Sequence, residues 1–101
     1  MMGSRLYMAP EILERKPYDF KVDVWSATCV VYILLCGNMP YPGADFSEVL
    51  NLIKRIDIDR IFELPEWQDV SAEGKSFIKL GLQQSAKDRG TVTDMLAHPW
   101  L

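Results

Sequence analysis

Apolar positions recur at helical spacing along most of the chain, and one stretch breaks the pattern by having no polar face. From Ala27 to Cys36 every residue except Thr28 and Tyr32 is apolar. A helix of that kind cannot lie on the surface of a soluble domain. The stretch is too short for a membrane span, which needs about 20 apolar residues, and charge flanks it closely. The β-branched Val30, Val31 and Ile33 keep a buried strand as the alternative. Length favours a helix: from Lys21 the pattern runs without a breaker to Gly37, a natural residue for the position past a helix end. The expectation is a buried helix needing neighbours on every side.

Whether the flanking pattern supplies those neighbours is the central question. Met1 to Tyr7 reads as an irregular lead-in, and Pro10 suits the first turn of a short helix with Glu11 and Glu14 toward its positive end. Lys16-Pro17-Tyr18-Asp19 breaks that helix, and Asp19 is the expected N-cap of the long one. The run from Asn38 to Gly43, with Pro40 and Pro42, is a loop. Asp45 and Glu48 have capping-box spacing, and Phe46, Val49, Leu50 and Ile53 carry an amphipathic helix to about Arg55. Ile58 to Trp67 reads as a loop because of Pro65. Ser71 caps a helix whose apolar stripe is Phe77, Ile78 and Leu82, with Lys75 and Lys79 on its wet face. Gly74 and Gly81 weaken that helix by about 1 kcal/mol each relative to Ala. Thr91 caps a last short helix with Val92, Met95 and Leu96, and Pro99 stops it. The fold class is all-α, about five helices with no sheet, in one domain over residues 1–101.

Composition narrows the function classes. The chain has 101 residues, 49% hydrophobic and 25% charged, an ordinary globular balance for one small core. A net charge of −3 gives no basic footprint for nucleic acid or an anionic membrane surface. No secretory signal is expected, since no apolar segment precedes Pro10. Cys29 and Cys36 sit seven residues apart on one helix, about 10 Å at 1.5 Å per residue, too far for a disulfide. They read as reduced thiols of a cytoplasmic protein, with the nucleus as the alternative compartment. His98 is the single histidine, so a metal site is not expected.

Four ordered motifs carry a family resemblance. Gly3-Ser4-Arg5-Leu6-Tyr7-Met8-Ala9-Pro10-Glu11 resembles the G-T-x-x-Y-x-A-P-E end of a protein-kinase activation segment. Asp23-Val24-Trp25-Ser26 resembles the opening of the kinase F helix, and Gly37 to Tyr41 the G-x-x-P-[FY] turn after it. Arg89 followed by His98-Pro99-Trp100 resembles the R-x(8)-H-P-[WF] ending of the fold. Lys16-Pro17-Tyr18, Tyr32 to Gly37 and Pro65 to Ser71 are most similar to the calcium/calmodulin-dependent group of serine/threonine kinases. The resemblance implies the helical lower half of the kinase large lobe, an incomplete kinase fold without the N-lobe or the catalytic loop.

Residue roles follow from that resemblance alone. Glu11 and Arg89 match a buried ion pair that anchors the activation segment, a place for the planar fork of Arg. Without the resemblance they would be read as ordinary surface charges. Asp23 matches an aspartate that accepts hydrogen bonds from the catalytic loop; its plain alternative is a solvated carboxylate favourable to the helix dipole. Ser4, Arg5, Leu6 and Tyr7 match the loop that places the acceptor peptide, with Ser4 for the usual Thr and Arg5 for the common Pro. A frayed terminus is the plain alternative. Trp25, Trp67 and Trp100 read as packing, and His98 as a structural helix-end residue. Ile33 stands where some basic-directed kinases carry a Glu. Ser85 and Gly90 depart from the usual Asp and bulky apolar residue, and with Gly74 and Gly81 they point to relaxed packing.

Phosphoryl transfer needs a cradle for the ATP phosphates, a Lys held by a Glu, a carboxylate to orient the hydroxyl, and Mg²⁺ ligands. No G-x-G-x-x-G, V-A-I-K, H-R-D or D-F-G occurs here. No catalytic, cofactor-binding or metal residue is therefore expected in this chain; ATP and Mg²⁺ belong to the complete family domain. Three roles are open: a piece of a longer serine/threonine kinase, a truncated module that binds a protein substrate or a partner kinase, or a non-functional remnant. The expected structural consequence is an exposed apolar seam on the long helix, where the missing half or a binding partner would pack. Leaving half of a two-turn apolar face of about 300 Å² wet costs about 4 kcal/mol.

Overall fold

The long apolar stretch forms α2, Lys21–Cys36, and the other elements are arranged around it. The computed structural model describes residues 7–101. Among them are α1 (Pro10–Leu13), α3 (Phe46–Arg55), α4 (Ile58–Ile61), a 3₁₀ turn (Pro65–Trp67), α5 (Ala72–Gly81) and α6 (Val92–Leu96), with no strand. The all-α class stands, and α2 is a helix rather than a strand. Gly37 ends it at φ 83°, a left-handed conformation that a Cβ would strain, and its N–H donates to the Ile33 carbonyl at 2.7 Å.

The start of α2 differs from expectation by one residue. Phe20 holds the cap position and offers no side-chain acceptor. Asp19 still accepts, its Oδ1 taking the Lys21 N–H at 2.9 Å, so the carboxylate serves the helix from one position further out. The caps of the later helices match the sequence pattern. Asp45 accepts from Glu48 N–H, Ser71 from Gly74 N–H, and Thr91 and Asp94 exchange both bonds of a capping box. Glu48 reaches past the cap to the Ala44 N–H at 3.0 Å.

The expected loop over 58–67 is a correction. Asp57 accepts from Asp59 N–H at 3.0 Å and starts α4, while Pro65 opens the 3₁₀ turn instead of preventing one. Proline has no N–H to lose at a first helical position. The segment is ordered because its aromatics belong to the core: Trp67 meets Tyr32 and Phe62 edge-on at centroid distances of 4.8 and 4.9 Å.

The glycines correct a second expectation. At Gly81 a Cβ would stand 2.7 Å from Thr28 Cβ, so the absent side chain is what lets α5 cross α2 at Thr28. At Gly90 a Cβ would stand 2.9 Å from Leu80 Cγ. Both positions are filled by neighbours, and packing there is close, not relaxed.

α2 divides into two faces. Trp25, Thr28, Cys29 and Tyr32 are buried. Ala27, Val30 and Leu34 are exposed on the other side, Leu34 at 79%. Val92, Leu96 and Leu101 extend that open surface, and between α2 and α6 lies an apolar groove of about 280 Å³.

Candidate functional site: a buried carboxylate–guanidinium anchor

α1 brings Glu11 inward in its first turn, and the turn after α5 brings Arg89 to meet it. The two side chains are 10% and 0% exposed. Arg89 Nη1 donates to Glu11 Oε2 at 2.8 Å and Nη2 donates to Oε1 at 2.9 Å, a bidentate pair. The remaining donors go to carbonyls: Nη1 to Lys21 at 3.0 Å, Nη2 to Gln84 at 3.3 Å and Nε to Gln83 at 3.0 Å. A guanidinium has five N–H groups, and all five are engaged. The cation also lies 5.1 Å from the centre of the Trp25 ring.

That saturation defines what the arrangement can do. Arg89 has no donor left for a phosphate or a substrate carboxylate, so its chemistry is to fasten three elements together. It joins α1 to the start of α2 and to the turn that precedes α6. Burial pushes the Glu11 carboxyl up, but the bonds and charge of Arg89 outweigh it and hold the carboxyl below its ordinary range.

Three contacts support the anchor that the sequence did not signal. Lys21 Nζ donates to the Ala86 carbonyl at 2.8 Å, fixing the turn before Arg89, while its own carbonyl serves Arg89. Ser26 donates its hydroxyl to the Tyr7 carbonyl at 2.6 Å and so ties the segment ahead of α1 to α2. The D-x-W-S pattern contained Ser26, but nothing in the pattern indicated its partner. Gln84 Nε2 donates to the Ile53 carbonyl at 2.7 Å and links the same turn to α3.

Of the other residues singled out from the sequence, Trp25 is buried beneath the anchor and stacks on Tyr41 at 5.8 Å. Among the described residues, Asp23 is exposed and makes no side-chain hydrogen bond. Ser4, Arg5 and Leu6 lie outside the described residues; Tyr7 is half-buried. Among the described residues no group of His, Cys, Asp or Glu is placed to hold a metal ion, and no helix is long and apolar enough to cross a membrane. A polar cleft of about 560 Å³ lies beside α4, with Lys54, Arg55, Asp57 and Asp88 on its walls. Lys79 and Asp59, also on its wall, pair with each other at 2.8 Å.

The protein kinase domain family matches residues 1–101. A probable myosin light chain kinase of Dictyostelium discoideum is 40% identical over 98% of the chain, and calcium-dependent protein kinase 24 of Arabidopsis thaliana 42% over 100%. Calcium/calmodulin-dependent protein kinase type 1B of Homo sapiens is 38% identical over 98%. The chain spans 25%, 17% and 28% of the lengths of these relatives.

Proposed function

The chain belongs to the protein kinase family, and on that premise we propose that it serves a serine/threonine kinase as the base of the large lobe and the anchor of its activation segment. The observation that carries this reading is the Glu11–Arg89 pair. Its five engaged donors hold the Ala9-Pro10-Glu11 segment against α2, which is how a loop leading into it would be kept in place for an acceptor peptide. Ser4 to Tyr7 form that loop in this reading, and the parent enzyme transfers the γ-phosphate of ATP to Ser or Thr of a protein.

This chain supplies none of the residue patterns that cradle phosphate or ligate Mg²⁺ in the family, so catalysis and nucleotide binding rest with the rest of a kinase domain. The open face of α2 is where that remainder packs. The close fits at Thr28–Gly81 and Leu80–Gly90 count against the remnant reading, since decay would not leave matched neighbours. The truncated-module reading keeps support from the exposed groove.

The test is Mg-ATP binding and peptide phosphorylation, with the chain alone and with the complementary part of a calcium-dependent kinase relative. Alone, the chain is expected to show no micromolar affinity for Mg-ATP; with its complement, phosphorylation of a Ser or Thr peptide should appear. Micromolar nucleotide binding by the chain alone would overturn the proposal.

A further inference from the structure

The turn that follows α6 brings both ring nitrogens of its histidine within hydrogen-bond distance of the chain. The Trp100 N–H donates to His98 Nδ1 at 3.1 Å, and the Leu101 N–H to the His98 carbonyl at 3.0 Å. A ring nitrogen that accepts a hydrogen bond carries no proton, so this contact suits the tautomer with its hydrogen on Nε2. Nε2 lies 3.1 Å from Ser76 Oγ on α5, and in that tautomer it is the donor. The ring also meets Phe77 edge-on at 5.5 Å.

Trp100 continues the contact. It packs on Phe77 at 5.0 Å and lies so close to α5 that a Cβ on Gly74 would stand 3.2 Å from its Nε1. Leu101, the next residue, helps line the apolar groove with Val31, Phe77 and Leu96. The His98 turn thus sets where one lip of that groove sits.

We infer that His98 is a pH-sensitive latch: neutral, it holds residues 98–101 closed with Leu101 along the groove; protonated, it releases the turn and opens the groove. Both nitrogens of an imidazolium are donors, so Nδ1–H would face the Trp100 N–H donor to donor. Imidazole is the side chain that ordinarily gains charge between about pH 8 and pH 5. The charged residues on the helices packed against it are Glu73, Lys75 and Lys79 on α5 and Asp94 on α6. Lys79 is held by Asp59 at 2.8 Å, and Asp94 accepts from the Thr91 N–H at 2.9 Å. Glu73 and Lys75 are opposite in sign and both precede Ser76 in sequence. Among the described residues no carboxylate bonds the ring, so nothing offsets the lost acceptor.

Amide hydrogen exchange of Trp100 in the full chain, corrected for the intrinsic pH dependence of exchange, tests the latch at pH 7.5 and 5.5. Protection should fall about five-fold at the lower pH, the population change equivalent to one ordinary hydrogen bond. His98→Asn keeps an acceptor near the place of Nδ1 without titrating, and its Trp100 protection should not change between the two pH values. Imidazole nitrogen shifts at pH 7.5 should show Nδ1 unprotonated. The inference is overturned if Trp100 is equally protected at both pH values, if it is unprotected already at pH 7.5, if His98→Asn shows the same fall, or if the proton sits on Nδ1.

Discussion

On one side of α2, Trp25, Cys29 and Tyr32 are buried under Arg89, Tyr41 and Trp67; on the other, Ala27, Val30 and Leu34 face outward. Both sides are apolar in sequence. What separates them is the set of directional contacts on the covered side, where a guanidinium with five partners and a cluster of aromatic edges fixes the neighbours in place. Hydrophobicity says that a face seeks cover, and polar geometry decides which face receives it within this chain.

The largest effect that would break this contrast is expected at the anchor. Arg89→Ala leaves Glu11 buried without its counter-charge and should cost about 3–5 kcal/mol in urea unfolding, enough to unfold a marginal domain. An unchanged unfolding midpoint would show that the covered face does not depend on the pair. The same pair sets an acid limit. Because the folded Glu11 carboxyl titrates below its ordinary value, its contribution is complete above that ordinary value and is lost as pH falls through the folded one. Glu11→Gln should flatten that acid limb of stability while lowering stability at neutral pH.

The crossing of α2 and α5 comes next. Gly81→Leu forces a side chain into Thr28 and should cost about 1–3 kcal/mol by thermal melting. Combining it with Thr28→Gly should recover part of that loss; strictly additive losses would refute the idea that the two positions are matched.

On the open face the expected change is small. Leu34→Glu should alter the stability of the isolated chain by no more than about 0.5 kcal/mol, and should improve its solubility. A loss of several kcal/mol would mean that Leu34 is already covered. The smallest perturbation is a labelling experiment. Burial pushes the Cys29 thiol up to about 12, and Cys36, half-buried, is raised less by the same cause. Iodoacetamide at neutral pH should therefore modify Cys36 before Cys29, and the reverse order would place the buried face elsewhere.

Much of the local structure was legible because its causes are local. Asp45, Ser71 and Thr91 cap helices whose spacing was plain, and Gly37 ends α2 through its own backbone freedom. The Glu11–Arg89 pair was legible only through motif resemblance, since its partners are 78 positions apart. The clamps made by Lys21 and Gln84 were not legible at all, because their acceptors are backbone carbonyls, which every residue has. The segment over 58–67 reads as a loop because Pro65 weighs against a long helix, whereas two short elements form there, α4 and the 3₁₀ turn that carries Trp67.

By itself, then, the sequence determined that the chain is helical, that α2 lies at its centre, and where most helices begin and end. These follow from spacing, capping and backbone preference within a few residues. Only the tertiary structure decided which face of α2 is covered, that Arg89 spends every donor on fastening, and that Gly81 and Gly90 are points of close contact. Those outcomes depend on what approaches across space, and a glycine in sequence looks the same whether its missing side chain leaves a void or makes room for Thr28.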